Sequence, residues 1–301
     1  MVSRVRVRTQ FLPVKEKLMR FSNYSSFMHD LGCHGLEYAA ARSVRLGYVA
    51  VELCGVYPAA QSLARRFDHA EFKATLDRHG LAVSCYSIYA DLLNGERDEV
   101  LAALREHIEF AAHIGAPYFH HTIAPSAKWN GTPVTYDEVF PYLVDLCKTI
   151  ARMAKEYGIT CLYEPQGPFV NGAQGVSRIL FAVKAECDNV AVCGDVGNPV
   201  FADADPVPIF ETLTDYIPHL HVKDYTVSET PLDNGLREFH SVGGRCIYDA
   251  PIGTGCIDIA GCFAPVAARG PLPYVSIEVF SEDDSVHTDA MAYLNALEKT
   301  L

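Results

Sequence analysis

Four ionisable residues stand at or near the ends of four short apolar runs. Glu164 closes ITCLYE (159–164) and Asp195 closes VAVCGD (190–195); His221 lies in HLHVKD (219–224) and Glu278 in YVSIEV (274–279). Three carboxylates and one imidazole make a ligand set for a hard or borderline divalent cation. A single acid at a strand end reads as a cap or an ion-pair partner. Four such residues in successive units are another matter, because an uncompensated cluster of like charges repels itself. Mn2+ is the expected ion, with Mg2+, Co2+ and Zn2+ as alternatives. His219, His221 and Lys223 share one face of an extended run, by its period of two. Lys223 either stabilises a developing oxyanion or pairs with Glu164 or Asp195, and residue type leaves both open. The run PYFHHTI (117–123) offers His120 and His121, of which one faces inward as an acid/base or hydroxyl-binding group. Phase with Tyr118 and Thr122 selects His120; a slip of one residue selects His121. A hydrogen-bonded structural histidine is the competing reading.

Eight apolar runs position these residues. Besides the five above they are LMRFS (18–22), YVAVEL (48–53) and LAVSCYSI (81–88). Each is short, rich in β-branched and aromatic residues, and bounded by Gly or Pro, as buried parallel strands are. Amphipathic helical patterns lie between them, and helix–Gly–strand recurs at Gly47, Gly80, Gly115 and Gly158. This alternation predicts an α/β fold, a single-domain (β/α)8 barrel over 18–301, after an N-terminal arm at 1–17. An open doubly wound sheet would carry a glycine-rich turn after its first strand. The stretch there is NYSSFMHDLG, which has no G-x-G-x-x-G. The long connection at about 225–255 is expected to form a mobile cap over the barrel mouth, where His240 and Arg245 would reach a substrate.

The totals exclude several classes. A chain of 301 residues suits one α/β barrel. A net charge of -12 without a basic stripe argues against nucleic acid as a partner. No apolar run reaches the ~18 residues of a membrane span, and the basic N-terminus lacks the apolar segment of a signal peptide. Ten scattered cysteines form no C-x-x-C pair and read as small core residues in a reduced compartment. A cytoplasmic location is expected.

The chain resembles the xylose-isomerase-like barrel superfamily, the sugar isomerase/epimerase group. The likeness runs from about Phe21 to Leu297 and is carried by YEPQGPF, GDVGNP, HLHVKDY, PIGTGCIDIAG and YVSIEVF. It implies that Glu164, Asp195, His221 and Glu278 hold one metal ion. It implies that Glu164 and Glu278 also move protons, through an enediolate formed beside a metal-polarised sugar carbonyl. Glu52 matches a glutamate at the end of the second strand and is expected to bind sugar or support the ligands. Trp129 is a candidate sugar-stacking residue, with a loop anchor as the commoner role. Two departures stand out. Ketose 3-epimerases of the group carry a histidine three residues after the aspartate, and here that residue is Asn198, still able to bind a sugar oxygen. They also carry an arginine six residues after the histidine, where this chain has Val227. The resemblance therefore implies an isomerase or epimerase of a keto-sugar. A lyase of the inosose dehydratase or 3-oxo-glycoside deglycosidase kind is the alternative. A DNA-repair endonuclease needs a richer ligand set, and a barrel without chemistry would not keep all four ligands. The expected partner is a sugar or glycoside. A homo-oligomer is expected, or a hetero-oligomer in the deglycosidase case.

Overall fold

A computed structural model describes residues 19–56 and 63–301. The arm expected at 1–17 lies outside the described residues. The eight apolar runs form eight parallel strands: β1 (Phe21–Asn23), β2 (Ala50–Val56), β3 (Ala82–Tyr89), β4 (Tyr118–His121), β5 (Thr160–Tyr163), β6 (Val190–Asp195), β7 (His219–Val222) and β8 (Tyr274–Ile277). They close into one barrel. The ring is completed by β1, which pairs with β2 through Ser22 and Ala50 and with β8 through Phe21 and Val275.

Parallel strands need long crossovers, and helices supply them. Nine helices of seven or more residues occur among the described residues: α1 (Ser25–Cys33), α2 (Leu36–Leu46), α3 (His69–Arg78), α4 (Arg97–His113), α5 (Tyr136–Lys155), α6 (Gly172–Lys184), α7 (Val207–Leu213), α8 (Ile259–Ala267) and α9 (Asp284–Glu298). Local signals account for several ends. Asp68 caps α3 through the Glu71 amide, and Thr135 with Glu138 forms a reciprocal capping box on α5. Gly47 ends α2 at φ 96°, a conformation that would strain any other residue. The stretch NYSSFMHDLG, for which no element was expected, forms most of α1.

Two features outside the barrel matter. The connection after β7 is a three-stranded antiparallel sheet of Asp224–Ser228, Phe239–His240 and Cys246–Ala250. Asp224 ties it to the chain that follows, accepting from the amides of Gly253, Gly255 and Ile257. Behind the barrel wall, Arg42 of α2 is buried between Asp30 of α1 and Asp284 at the start of α9, at 3.0 Å from each.

The barrel interior is layered. Cys85, Leu162 and Cys193, flanked by Tyr118 and Ala191, form an apolar layer. Two residues further along their strands, towards the C-terminal end, stand His120, Glu164 and Asp195. That step of two is one layer nearer the mouth, where barrels of this kind carry their chemistry.

Candidate metal centre

Each of the four proposed ligands comes from a strand or the residue just past one. Asp195 ends β6 and His221 sits within β7; Glu164 and Glu278 immediately follow β5 and β8. Their donor atoms all lie within 4.8 Å of one another. His221 Nδ1 is 2.6 Å from Glu164 Oε1, and 3.6 Å from both Asp195 Oδ2 and Glu278 Oε2. The other ring nitrogen, Nε2, is 2.9 Å from Glu52 Oε1. Glu52 is fully buried and is held on every side. Ser87 and Ser276 donate to its two oxygens at 2.5 Å each, and His219 Nε2 lies 2.7 Å from Oε2. Glu52 therefore orients the imidazole so that Nδ1 faces the acids, the usual task of a carboxylate behind a metal-binding histidine.

The charges do not balance. Four carboxylates, Glu52, Glu164, Asp195 and Glu278, face one ammonium, Lys223, and two imidazoles, His221 and His219. Lys223 Nζ sits 2.9 Å from Asp195 Oδ2 and 2.5 Å from Glu278 Oε2. Of its two sequence readings, ion pairing is the contact it makes. Burial opposes ionisation of Asp195, but Lys223 and His221 outweigh it and hold the carboxyl below its ordinary range. Burial and the Asp195 charge push Glu164 up. Burial pushes Glu278 up as well, with Lys223 offsetting part of the effect and Asp195 adding to it. Crowded acids whose proton affinities are driven apart are characteristic of functional sites.

The donors fit a divalent cation. They are oxygen-rich with one nitrogen, as Mg2+, Mn2+ and Zn2+ sites are. Asp195 Oδ1 already accepts from the amides of Gly197 and Asn198, at 2.8 and 2.6 Å. Its Oδ2 is buried among the other donors, with the Lys223 ammonium against it at 2.9 Å. A buried carboxylate oxygen that faces three further donors is what a cation would complete.

Of the two histidines on β4, His120 faces inward. Its Nδ1 meets the Ser87 hydroxyl at 3.1 Å, and Nε2 points at Glu164 Oε2 from 3.6 Å without a hydrogen bond. Burial, then the nearby His221, push its pKa down to about 3, so it is neutral at physiological pH. His121 faces the helices instead. It packs edge-on against Tyr163 and beside Phe119, with Nδ1 on the Thr122 carbonyl. The substrate contact expected for His121 is thereby corrected: the strand's alternation turns it away from the mouth. Trp129 takes the commoner of its two expected roles, stacking on Tyr142 of α5 at 4.7 Å and anchoring its loop to the main core. The Asn198 side chain is nearly buried and its Nδ2 has no partner, so it remains available for a sugar oxygen. His240 and Arg245 do not line the mouth; Arg245 pairs with Asp203 at 2.7 Å and His240 with Glu238 at 3.2 Å.

A cavity of about 280 Å3 opens beside the acids, lined in part by Lys223, Tyr225, Asp249, Glu278 and Phe280. The sheet after β7 supplies Tyr225 and Asp249, so the connection expected to cap the mouth forms a wall of it. Sequence reasoning missed Tyr24, whose ring centroid lies 5.3 Å from that of His221. It follows β1 directly, and the strand-end rule that selected Glu164 would have found it. Ser87 and Ser276, the hydroxyls on Glu52, carried no signal of their own.

With this geometry in view, the comparisons with known proteins are consistent. The chain belongs to the xylose isomerase-like TIM barrel family, whose model matches residues 39–298. Among curated proteins it is similar to the inosose dehydratase of Geobacillus thermodenitrificans (strain NG80-2), 23% identical over 241 residues, covering 74% of this chain and 75% of that protein. Among solved structures it is similar to a xylose isomerase domain protein from Planctomyces limnophilus, with TM-score 0.72, 16% identity, and coverage of 94% of this chain and 98% of that one. A xylose isomerase-like TIM barrel protein from Mycobacterium smegmatis in complex with magnesium superposes with TM-score 0.69 at 16% identity, covering 94% and 97%. These structures share the fold. No described helix is long and apolar enough to cross a membrane.

Proposed function

We propose that this protein is a divalent-metal-dependent enzyme that removes the proton next to the carbonyl of a keto-sugar or keto-cyclitol. The observation that carries the reading is the convergence of Glu164, Asp195, His221 and Glu278 donor atoms at the mouth of the barrel. When bound there, a divalent cation supplies the charge that polarises a carbonyl and its neighbouring hydroxyl. Mg2+ in the Mycobacterium smegmatis relative and the oxygen-rich donors support a hard cation, and Mn2+ is the ion we would test first.

The protein's own groups divide the remaining work. Asp195 stays ionised and holds position. Glu164 and Glu278, with proton affinities raised by burial, are the proton carriers. Lys223 offers its ammonium to an oxygen that gains negative charge. Neutral His120, with Nε2 unpartnered, binds a hydroxyl or relays a proton. Asn198 and the cavity beside Lys223 belong to substrate positioning, and Glu52 orients His221.

Elimination of water from the carbon beyond the abstracted proton is the outcome favoured by the inosose dehydratase relative. Isomerisation or epimerisation is the second reading. The separate placement of Glu164 after β5 and Glu278 after β8 supports it, because one could take a proton and the other return it. The protein, loaded with Mn2+, is incubated in D2O with a panel of inososes, ketoses and 3-keto-glycosides. Deuterium entering next to the carbonyl, with loss of water, is the expected result. Exchange without loss of a group assigns an epimerase or isomerase. No exchange on any substrate overturns the proposal.

A further inference from the structure

In the antiparallel sheet after β7, alternation sorts side chains by face. Tyr225 and Ile247 pack with Val200, and Val227, Phe239 and Phe201 close around them. The opposite face carries His240 and Cys246, which are direct cross-strand partners. Glu238 lies two residues before His240 and Tyr248 two after Cys246, so the same alternation brings all four together. A carboxylate oxygen of Glu238, an imidazole nitrogen of His240 and the thiol sulfur of Cys246 lie within 4.8 Å of one another.

The surroundings fix this trio. His240 Nε2 is 3.2 Å from Glu238 Oε1. The Tyr248 hydroxyl donates to Glu238 Oε2 while accepting from the Leu232 amide at 2.7 Å. Cys246 is buried, at 3% exposure, although the face it occupies is polar. The His240 imidazole is open to solvent and leaves a route of entry. A buried thiol beside an imidazole and a carboxylate presents the donors that a tetrahedral borderline cation takes, with one position left for water.

We infer that Glu238, His240 and Cys246 form a second metal site, for Zn2+ or a cation of its class, distinct from the barrel centre. It would tie the short strand Phe239–His240 to Cys246–Ala250, whose far end, at Asp249 and Ala250, lines the cavity at the mouth. Uptake exchanges one proton: the Cys246 S–H bond breaks, a sulfur–metal bond forms, and the proton goes to solvent.

The test reads sulfur ligation directly. None of the four barrel ligands is a thiol, so Co2+ there gives no thiolate-to-cobalt charge-transfer absorption. Metal-free full-length protein is titrated with Co2+. Two equivalents are expected, one with the charge-transfer band. The band persists in Glu164→Gln, disappears in Cys246→Ser, and requires at least about tenfold more Co2+ in His240→Gln, an exposed position that does not endanger folding. Wild-type protein without the band, a band that survives in Cys246→Ser, or unchanged affinity in His240→Gln overturns the inference. The result does not depend on which reaction the barrel performs.

Discussion

Arg42 and Lys223 are both cations buried among carboxylates, with side chains 4% and 9% exposed, and their surroundings end in opposite states. Arg42 donates to Asp30, to Asp284 and to the carbonyls of Ser281 and Glu282. No atom of that cluster is left buried without a partner among the described residues. Around Lys223 the acids outnumber the cations, and His120 Nε2 and Asn198 Nδ2 are buried without a partner. Burial of a charge is costly in both places. In the first the protein alone meets the cost. In the second it does so only when something is added, and that difference separates a structural ion cluster from a site.

The largest effect should come from removing a proton carrier. Glu164→Gln keeps the shape of the side chain and deletes one buried negative charge. We expect turnover of the substrate found by the deuterium screen to fall by about 10^2–10^4-fold. Metal content should fall too, while the melting temperature of the metal-free protein stays level or rises, because a crowded acid has been relieved. A Glu164→Gln protein with wild-type turnover and wild-type metal content would remove Glu164 from the site.

Arg42→Ala should show the reverse pattern. It strands Asp30 as an uncompensated buried charge, for an expected loss of about 3–5 kcal/mol of stability. Metal stoichiometry in the surviving folded fraction should be unchanged. Urea denaturation and metal analysis on the same preparation check both halves. Loss of metal alone would mean that the two clusters communicate, and the contrast drawn here would fail.

Much of the site could be read from the chain, and the reason is regularity. In a barrel of parallel strands the last inward residue of each strand is at the mouth, so a strand boundary locates the chemistry. That logic picked out Glu164, Asp195, His221 and Glu278, and strand parity selected His120 over His121; Glu52, in the middle of β2, came from the family resemblance. It failed where regularity ends. The helix α1 was hidden because its N-cap is Tyr24, which makes no side-chain cap, and Gly32 lies within its last turn. The sheet after β7 was hidden because its strands are two to five residues long, too short for a period to show. Arg42 carried no signal at all, since Asp284 lies 242 residues away and only the closed barrel brings them together.

Glu52 lies between the two extremes, fully buried and fully hydrogen-bonded but touching a ligand. Glu52→Gln would still fill the space. Its one amide oxygen could accept on one side only, its NH2 would meet donors on the other, and the His221 orientation would be left loose. We expect metal affinity to weaken about 10–100-fold, with a smaller loss of stability than Arg42→Ala causes. Isothermal titration with Mn2+ gives the affinity. Unchanged affinity would make Glu52 a core ion-pair partner like Asp30 and place it on the structural side of the comparison.

The smallest expected effect is in the pH dependence of the two clusters, and its sign differs between them. Glu278 has its folded pKa raised, by burial foremost, so its ionisation opposes folding. That penalty is present at neutral pH and disappears as pH falls through the raised folded value towards about 4.3, the unfolded one. The stability of metal-free Glu278→Gln should therefore exceed wild type at pH 7, and the gap should close as the solution is acidified. Asp284 has its folded pKa lowered: burial opposes ionisation, but its bonds to Arg42 and Arg45 prevail. Its contribution is present above the unfolded value near 3.9 and is lost only as pH falls further. Asp284→Asn removes that contribution and leaves Arg42 paired with Asp30, so its deficit should stay constant from pH 7 to about 4.5, across the range where the Glu278→Gln advantage fades. Urea midpoints of the three proteins at pH 7, 5.5 and 4.5 measure both trends, and parallel curves for the two variants would show that the clusters are electrostatically alike.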